Sequence, residues 1–312
     1  MGKYLETQPR RVALLLSSAL GDSLVFCVIA HNLQRQGALV SVFGDQALLL
    51  KAWLPDVDVF ATPERAALPA LLADFDLVVQ LHTDRPFADA AQCHPNVLIL
   101  SHVPNAASSE SMAARLADVC RSEWSIDDAV CSNGLRAPAG LVSRRHVNRV
   151  VIHPTASTAD KCWLPSRFIR LGKALRQAGF EPQFVLAPHE RADWAVVERE
   201  GMAMPTFGSL SDVAAWIYES GWFIGNDSGI GHLASNLQIP TLSLFMRRGI
   251  ARTWRPGFGP GKVLVGGAYI PTGRLKERYW KYALSVSAVM KAFAQLRAEV
   301  GEVAQRSEEQ TG

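Results

Sequence analysis

The segment from residue 225 to residue 245 contains residue types that bind anions. A short apolar strand ends at Asp227, Ser228 and Gly229, and a helix is predicted to begin there because Asp and Ser are common N-caps. Helix N-terminal amides carry about half a positive charge and bind phosphate groups. His232 lies one turn further along the helix. We expect an anion site here, with an ordinary capped helix as the alternative interpretation.

A second polar loop, residues 153–165, also lies between a predicted strand and a predicted helix. It carries the hydroxyls of Thr155, Ser157 and Thr158 and the ammonium of Lys161. Hydroxyls and a flexible point charge suit a diphosphate. The alternative is a plain surface loop with a solvated lysine, so the case depends on two such loops meeting at one sheet edge.

A third feature is the carboxylate of Asp22, which follows the first predicted strand at the start of a helix. Gly21 is the only glycine of that turn, so neither the GxGxxG dinucleotide fingerprint nor a P-loop is present, and a nicotinamide-dependent oxidoreductase is not predicted. Asp22 is either an N-cap or a general base that accepts a proton from an attacking hydroxyl.

The elements that position these residues alternate between short apolar runs and helical patterns, which predicts βαβ units with parallel sheets. A break at residues 132–149, rich in Gly and basic residues, indicates a linker between two domains. A helix is predicted over residues 275–296. The predicted strands cover residues 12–16, 39–43, 57–60, 77–81, 96–100, 149–153, 183–187, 222–225, 241–245 and 263–266.

The composition is that of a globular chain of two domains, with 312 residues, 48% hydrophobic and 20% charged, and a net charge of +3. The five cysteines are scattered without a CxxC pair, so we expect free thiols and no metal ribbon. The early apolar run is broken by Gly21 and Asp22 and is shorter than the ~20 residues of a membrane span. A cytoplasmic protein is therefore expected.

Three segments resemble, in the same order, motifs of the bacterial heptosyltransferase family, glycosyltransferase family nine, which includes the ADP-heptose:lipopolysaccharide heptosyltransferases. They are Ser-Ala-Leu-Gly-Asp at 18–22, His-Pro-Thr-Ala-Ser…Lys-Cys-Trp-Leu-Pro at 153–165 and Gly-Asn-Asp-Ser-Gly-Ile-Gly-His at 225–232. Two departures are Thr155, where the family usually has Gly, and Met246-Arg247-Arg248, where it commonly has Gly-Pro.

The resemblance implies a GT-B fold, in which two Rossmann-like domains with parallel sheets face each other across a cleft. Residues 1–145 would form the acceptor domain and residues 146–274 the donor domain, with a C-terminal helix, residues 275–298, packing back on the first. It also implies an inverting transfer without a metal ion or a cofactor, in which the nucleotide-diphosphate sugar is a co-substrate.

The resemblance also assigns roles to residues. Asp22 would be the general base, and Lys161 would hold the donor phosphates during the reaction. The remaining donor-binding residues would be Ser157 and Thr158 in the loop, Glu190 at the ribose, Gly208 near the adenine, and Asp227, Ser228, Gly229 and His232 around the diphosphate.

The expected function is the transfer of heptose from ADP-heptose to a hydroxyl of a lipopolysaccharide core or related glycan. One alternative is a nucleotide-sugar epimerase of the same fold, which would act on the donor without an acceptor. Another is a sugar-nucleotide-binding protein without catalysis, which a transfer assay would reveal. The simultaneous presence of Asp22 and Lys161 favours an enzyme.

The segment 247–281 is strongly basic, with nine Lys or Arg residues and one acid, Glu277. It would dock an anionic glycan or glycolipid acceptor, or make peripheral contact with the inner membrane, where each basic side chain is worth about 1 kcal/mol. A solvated face is the alternative. Nucleic acid is not an expected partner, because aromatic and basic residues are not interleaved.

Overall fold

The computed structural model describes residues 9–105, 108–266 and 279–311. The chain divides into two compact units, with the boundary between Pro138 and Ala139. The predicted boundary after residue 145 lies slightly further along the chain, just before the first strand of the second unit.

The first unit is built on a parallel sheet with the strand order β3-β2-β1-β4-β5. Each predicted strand of this half overlaps an observed one. The strands are β1 (Arg11–Leu15), β2 (Leu39–Phe43), β3 (Asp58–Phe60), β4 (Leu77–Gln80) and β5 (Val97–Ile99). The α-helices are α1 (Leu20–Arg35), α2 (Asp45–Leu48), α3 (Leu68–Leu72), α4 (Ala90–Cys93) and α5 (Met112–Trp124).

The central strand β1 is apolar on both faces because helices and loops cover the sheet on both sides; Val12, Ala13 and Leu14 are fully buried. It pairs with β4 in the register Leu15↔Gln80. The loops that follow β1 and β4 therefore leave the sheet side by side, at its carboxyl edge.

The second unit repeats this architecture, with the strand order β10-β9-β8-β6-β7. Its strands are β6 (His146–His153), β7 (Glu181–Phe184), β8 (Ser220–Asn226), β9 (Thr241–Phe245) and β10 (Gly261–Val265). Its α-helices include α6 (Pro165–Gln177), α7 (Val196–Arg199), α8 (Leu210–Tyr218), α9 (Gly229–Asn236), α10 (Arg248–Trp254) and α11 (Val286–Thr311). The helices predicted to follow the loop 153–165 and to begin near Gly229 are both present, as α6 and α9.

The long C-terminal helix differs from its prediction. Within the described residues, a helical turn covers 279–283, the chain leaves helical geometry at Leu284 and Ser285, and α11 then begins. Residues 275–278, the predicted start of the helix, lie outside the described residues.

Helix α11 also packs differently from the expectation that it covers the first domain. Its side chains Val289, Phe293 and Leu296 are buried in the core of the second unit. The ring of Phe293 lies 5.2 Å from that of Phe180 and 5.4 Å from that of Trp222, both edge-on. The periodicity identified the apolar face correctly, but it cannot identify which core covers that face.

The five cysteines are free thiols, and burial raises the pKa of Cys27 to about 12. None of the helices in the described ranges combines the length and the apolar composition that crossing a bilayer requires.

Candidate functional site

The two anion-binding loops predicted for the second unit lie next to each other, because β6 and β8 are neighbouring strands. The fully buried side chain of Asn226 at the end of β8 joins them. Its Oδ1 accepts a hydrogen bond from the backbone N–H of Trp163 at 3.0 Å, and its Nδ2 donates to the carbonyl of Pro154 at 2.7 Å. One amide thus holds both ends of the loop 154–163 against the end of β8, just before α9.

This role of Asn226 was not predicted from the sequence. Its hydrogen-bond partners lie 63 and 72 residues away in sequence. A primary amide supplies a donor and an acceptor together, and the strand order that brings the partners close is not visible in the sequence.

Lys161 lies in a short 3-10 turn, Ala159–Lys161, and its Nζ is 3.0 Å from Oδ2 of Asp227. The lysine side chain is 33% exposed and the aspartate side chain 10% exposed. An ammonium has three donors, so the ion pair orients Lys161 and leaves part of its charge facing solvent. The structure therefore brings together two of the residues that the sequence predicted.

Ser228 is the N-cap of α9, and its Oγ accepts a hydrogen bond from the N–H of Gly231 at 3.2 Å. The interpretation as an ordinary capped helix is therefore correct for this hydroxyl, while the anion site at Ser228 and Gly229 stays a prediction. His232 follows on the same helix and is buried, 6% exposed, rather than open to solvent.

A cavity of 300 Å³ lies beside the start of α9. Its walls come from the end of β7, the segment leading into α8 and the first turn of α9, and they are mostly apolar. Six of the residues that line it are Val185, Leu186, Phe207, Gly208, Val213 and Ile230. Gly208, predicted to lie near the adenine, is therefore part of a cavity of the kind that binds a planar ligand.

His153 forms part of the cavity wall and is hydrogen-bonded on both ring nitrogens. Its Nδ1 lies 2.9 Å from the carbonyl of Val185, which can only accept, so Nδ1 carries the proton. The Thr155 hydroxyl, 3.3 Å away, then donates to Nε2. Burial lowers the pKa of His153, in agreement with a neutral ring. Thr155, the departure from the family's Gly, thus has a specific partner.

The buried neutral His153 makes a pH-dependent contribution to stability. Because its folded pKa lies below the value of about 6.5 in the unfolded chain, the unfolded chain binds more protons at acid pH, and stability falls as the pH falls below that value. The slope is at most about 1.4 kcal/mol per pH unit. We expect the melting temperature of His153→Asn, which keeps the donor to Val185, to fall less between pH 7.5 and 5.5 than that of wild type. Burial also lowers the pKa of His31. Because His31 is present in both the wild type and the variant, it does not contribute to the difference between their melting curves. Parallel melting curves would contradict this prediction.

Glu190 lies in the 3-10 segment Pro188–Trp194, directly after β7. Its Oε2 accepts a hydrogen bond from the N–H of Ala187 at 2.9 Å, which caps that segment. Ser157 and Thr158, in the loop after β6, are exposed. The binding of ribose by Glu190 and of phosphate by the two hydroxyls stays a prediction.

In the first unit, Asp22 lies in the first turn of α1, whose N-cap is Ala19. Asp22 is therefore not the cap residue. Its Oδ2 is 3.3 Å from the hydroxyl of Ser17 and 3.0 Å from Nε2 of His82. The Asp22 side chain is 20% exposed, so the carboxylate is held at the carboxyl edge of the sheet and still reaches solvent.

His82 is a residue that the sequence analysis missed. It follows β4 by two residues, as Ser17 follows β1 by two, and the register Leu15↔Gln80 brings the two positions together. A polar residue just beyond a predicted strand can be recognised in the sequence. That β1 and β4 are neighbours in the sheet cannot be read from the sequence.

The basic segment 247–281 is described only in part, because Arg274, Lys276, Glu277 and Arg278 lie outside the described residues. Lys262 is paired with Glu299 of α11. This ion pair uses part of the charge within the unit, and the docking of an acceptor or a membrane stays a prediction. Within the described residues no group of three or more His, Cys, Asp or Glu is arranged to hold a metal ion; metal independence stays a prediction as well.

Comparison with known proteins gives a match between residues 106–260 and the family model for glycosyltransferase family 9 (heptosyltransferase). Two curated relatives are lipopolysaccharide heptosyltransferase 3 of Escherichia coli, 33% identical over 106 residues, and the same enzyme of strain K12, 34% identical over 110 residues. The aligned segment spans 31% of this chain and 31% and 30% of the two relatives, so the chain matches less than a third of their length.

Solved structures are similar over nearly the whole chain. The glycosyl transferase family 9 structure from Veillonella parvula has a TM-score of 0.69 at 15% identity, covering 93% of this chain and 97% of that one. Escherichia coli heptosyltransferase WaaC with ADP has a TM-score of 0.70 at 16% identity, covering 92% and 99%. The Escherichia coli ADP-heptose heptosyltransferase II has a TM-score of 0.70 at 14% identity, covering 93% of this chain and 99% of that one. These similarities confirm the α/β class with two parallel sheets and the GT-B assignment.

Proposed function

Because the chain belongs to glycosyltransferase family 9, we propose that it is an enzyme that transfers heptose from ADP-heptose to a hydroxyl of a lipopolysaccharide core or related glycan. The observation that carries the proposal is the grouping that Asn226 holds together in the second unit. The Lys161–Asp227 pair, the start of α9 and the apolar cavity all lie at one sheet edge. The relatives named as heptosyltransferases and the WaaC structure with ADP support this choice of donor.

In the proposed donor complex, the cavity takes the adenine and Glu190 binds the ribose hydroxyls. The diphosphate lies at the N-terminus of α9, where the backbone of Ser228 and Gly229 faces it. Lys161 supplies the counter-charge beside the helix amides. Fixed donors of this kind stabilise the negative charge that develops on a leaving diphosphate.

The proposed reaction is a single displacement with inversion. The acceptor hydroxyl oxygen forms a bond to the anomeric carbon of heptose while the bond from that carbon to the diphosphate oxygen breaks. The electron pair of the broken bond stays on the diphosphate, and the hydroxyl proton moves to the carboxylate of Asp22. The products are ADP and a glycoside of inverted anomeric configuration, and no metal ion or other cofactor takes part.

The proposed acceptor is an anionic glycan or glycolipid on the cytoplasmic face of the inner membrane. Basic residues of the segment 247–281 would contact its negative groups and the membrane surface. A transfer assay with ADP-heptose and core-oligosaccharide acceptors tests the function directly. Glycoside formation with an EDTA-insensitive rate is the expected result, whereas conversion of the donor to an epimer without acceptor would indicate the epimerase alternative.

Nucleotide binding gives a second test, through the cavity. At 100 times its dissociation constant ADP should stabilise the protein by about 2.7 kcal/mol, or roughly 5–10 °C in melting temperature. We expect Val213→Phe, which fills the cavity, to remove most of this shift. The matched control is Val142→Phe, because Val142 is 53% exposed and does not line the cavity. An equal ADP shift in both variants, or an equal shift with UDP, would contradict adenine binding in this cavity.

A further inference from the structure

The carboxylate of Asp22 is oriented by a histidine from a different strand. Asp22 Oδ2 and His82 Nε2 are 3.0 Å apart, and their side chains are 20% and 13% exposed. Both groups lie at the carboxyl edge of the first sheet, where the loops after β1 and β4 meet. The proposed function uses Asp22 and gives His82 no role.

The two oxygens of Asp22 have different surroundings. Both hydrogen bonds that the carboxylate accepts, from Ser17 Oγ at 3.3 Å and from His82 Nε2, fall on Oδ2. Oδ1 accepts no hydrogen bond from any residue that the structure describes. One oxygen is therefore fixed by the protein, while the other is open to a hydroxyl group of a bound sugar.

The tautomer of His82 follows from its partners. An ionised carboxylate only accepts hydrogen bonds, so Nε2 carries a proton. The guanidinium of Arg85 only donates, and its Nη2 lies 3.5 Å from Nδ1 and 3.4 Å from Nε2. His82 is thus a donor to Asp22 through Nε2.

Other buried hydrogen bonds already hold the two loops. The Gln80 side chain, which is fully buried, donates to the carbonyls of His82 at 2.6 Å and Phe87 at 3.0 Å. In the other loop, the Ser23 hydroxyl donates to the carbonyl of Ser17 at 2.9 Å. The Asp22–His82 bond is therefore not needed to close the loops, and it lies at the solvent-reaching edge where an acceptor would bind.

We propose that His82 is a positioning residue for sugar transfer: together with Ser17 it fixes Oδ2 of Asp22 and so directs Oδ1 at the attacking hydroxyl. The inference rests on the proposed function, in which Asp22 accepts the proton. Fixing the base in this way costs no reorganisation during the reaction, as expected for a preorganised site.

The kinetic experiment compares His82→Ala and His82→Gln, since the Gln amide N–H can replace the Nε2 donor. We expect His82→Ala to lower kcat about 10- to 100-fold, less than the 10²–10⁴-fold supplied by a general base itself, with an unchanged KM for the donor. His82→Gln should restore most of kcat. In an Asp22→Asn background, His82→Ala should cause no further loss, because the two residues act as one unit. The control is His102→Ala, an exposed histidine of the same unit.

Several outcomes would overturn the inference while leaving the proposed function standing. They are a wild-type kcat in His82→Ala, an equal loss in His82→Gln, and an undiminished effect in the Asp22→Asn background. Nitrogen-15 NMR of the His82 ring tests the pair without any assay, and a ring protonated on Nδ1 alone would also overturn it. A wild-type protein with the Nε2–H tautomer but no glycosyl transfer would instead reject the proposed function, and with it a catalytic role for the pair.

Discussion

Replacing Asp22 by Asn is expected to lower kcat for sugar transfer by 10²–10⁴-fold, about the contribution of a general base. The amide has nearly the same shape, so it can keep a hydrogen bond at the Oδ2 position, but it cannot take up the hydroxyl proton. The loss of a negative charge in the first turn of α1 costs about 0.3–1 kcal/mol of stability, too little to unfold the protein.

ADP binding should be unchanged in Asp22→Asn, because the proposed donor site lies wholly within the second unit. A calorimetric titration with ADP and a steady-state transfer assay measure the two effects separately. The matched control is Asp128→Asn, which removes an exposed carboxylate from the pair with Arg35 in the same unit. Retention of full transfer by Asp22→Asn would show that another group takes the proton.

Replacing Lys161 by Met is expected to have the second largest effect. Met keeps most of the length of the side chain and removes the charge. The loss of one donor to a developing oxyanion typically costs 10²–10³-fold in kcat. The dissociation constant for ADP should also rise, because Asp227, only 10% exposed, loses its counter-ion and repels the diphosphate.

The double variant Lys161→Met with Asp227→Asn separates these two effects. Removing the uncompensated carboxylate should restore part of the ADP affinity but not the transfer rate, since no cation remains to stabilise the leaving group. The control is Lys173→Met, which breaks the exposed pair of Lys173 with Glu200, 2.6 Å apart, elsewhere in the second unit. Unchanged donor affinity and rate in Lys161→Met would remove this residue from the donor site.

The strands and the positions of the polar loops after β6 and β8 could be predicted because their signals are local. A strand buried on both faces is a continuous apolar run, and a loop after such a strand lies at the carboxyl edge wherever the strand sits in the sheet. This is why the positions of Lys161 and Ser228 follow from sequence.

What the sequence could not supply is the order of the strands. Asn226 reaches the loop after β6 because β6 and β8 are neighbouring strands. His82 reaches Asp22 because β1 and β4 are neighbouring strands. Helix α11 shows the same limit: its apolar stripe is obvious in sequence, but several cores would fit it equally well. Each of these features depends on partners that are distant along the chain.

The seating of α11 on the second unit decides where that half of the protein can be cut for separate production. A fragment that starts at Ala139 and stops after β10 would leave the rings of Phe180 and Trp222 without Phe293 as a cover, and bare aromatic surface of this kind promotes aggregation. A fragment continued through Leu296 retains that cover. Helix α11 up to Leu296 is thus a component of the core of the second unit rather than an optional appendage.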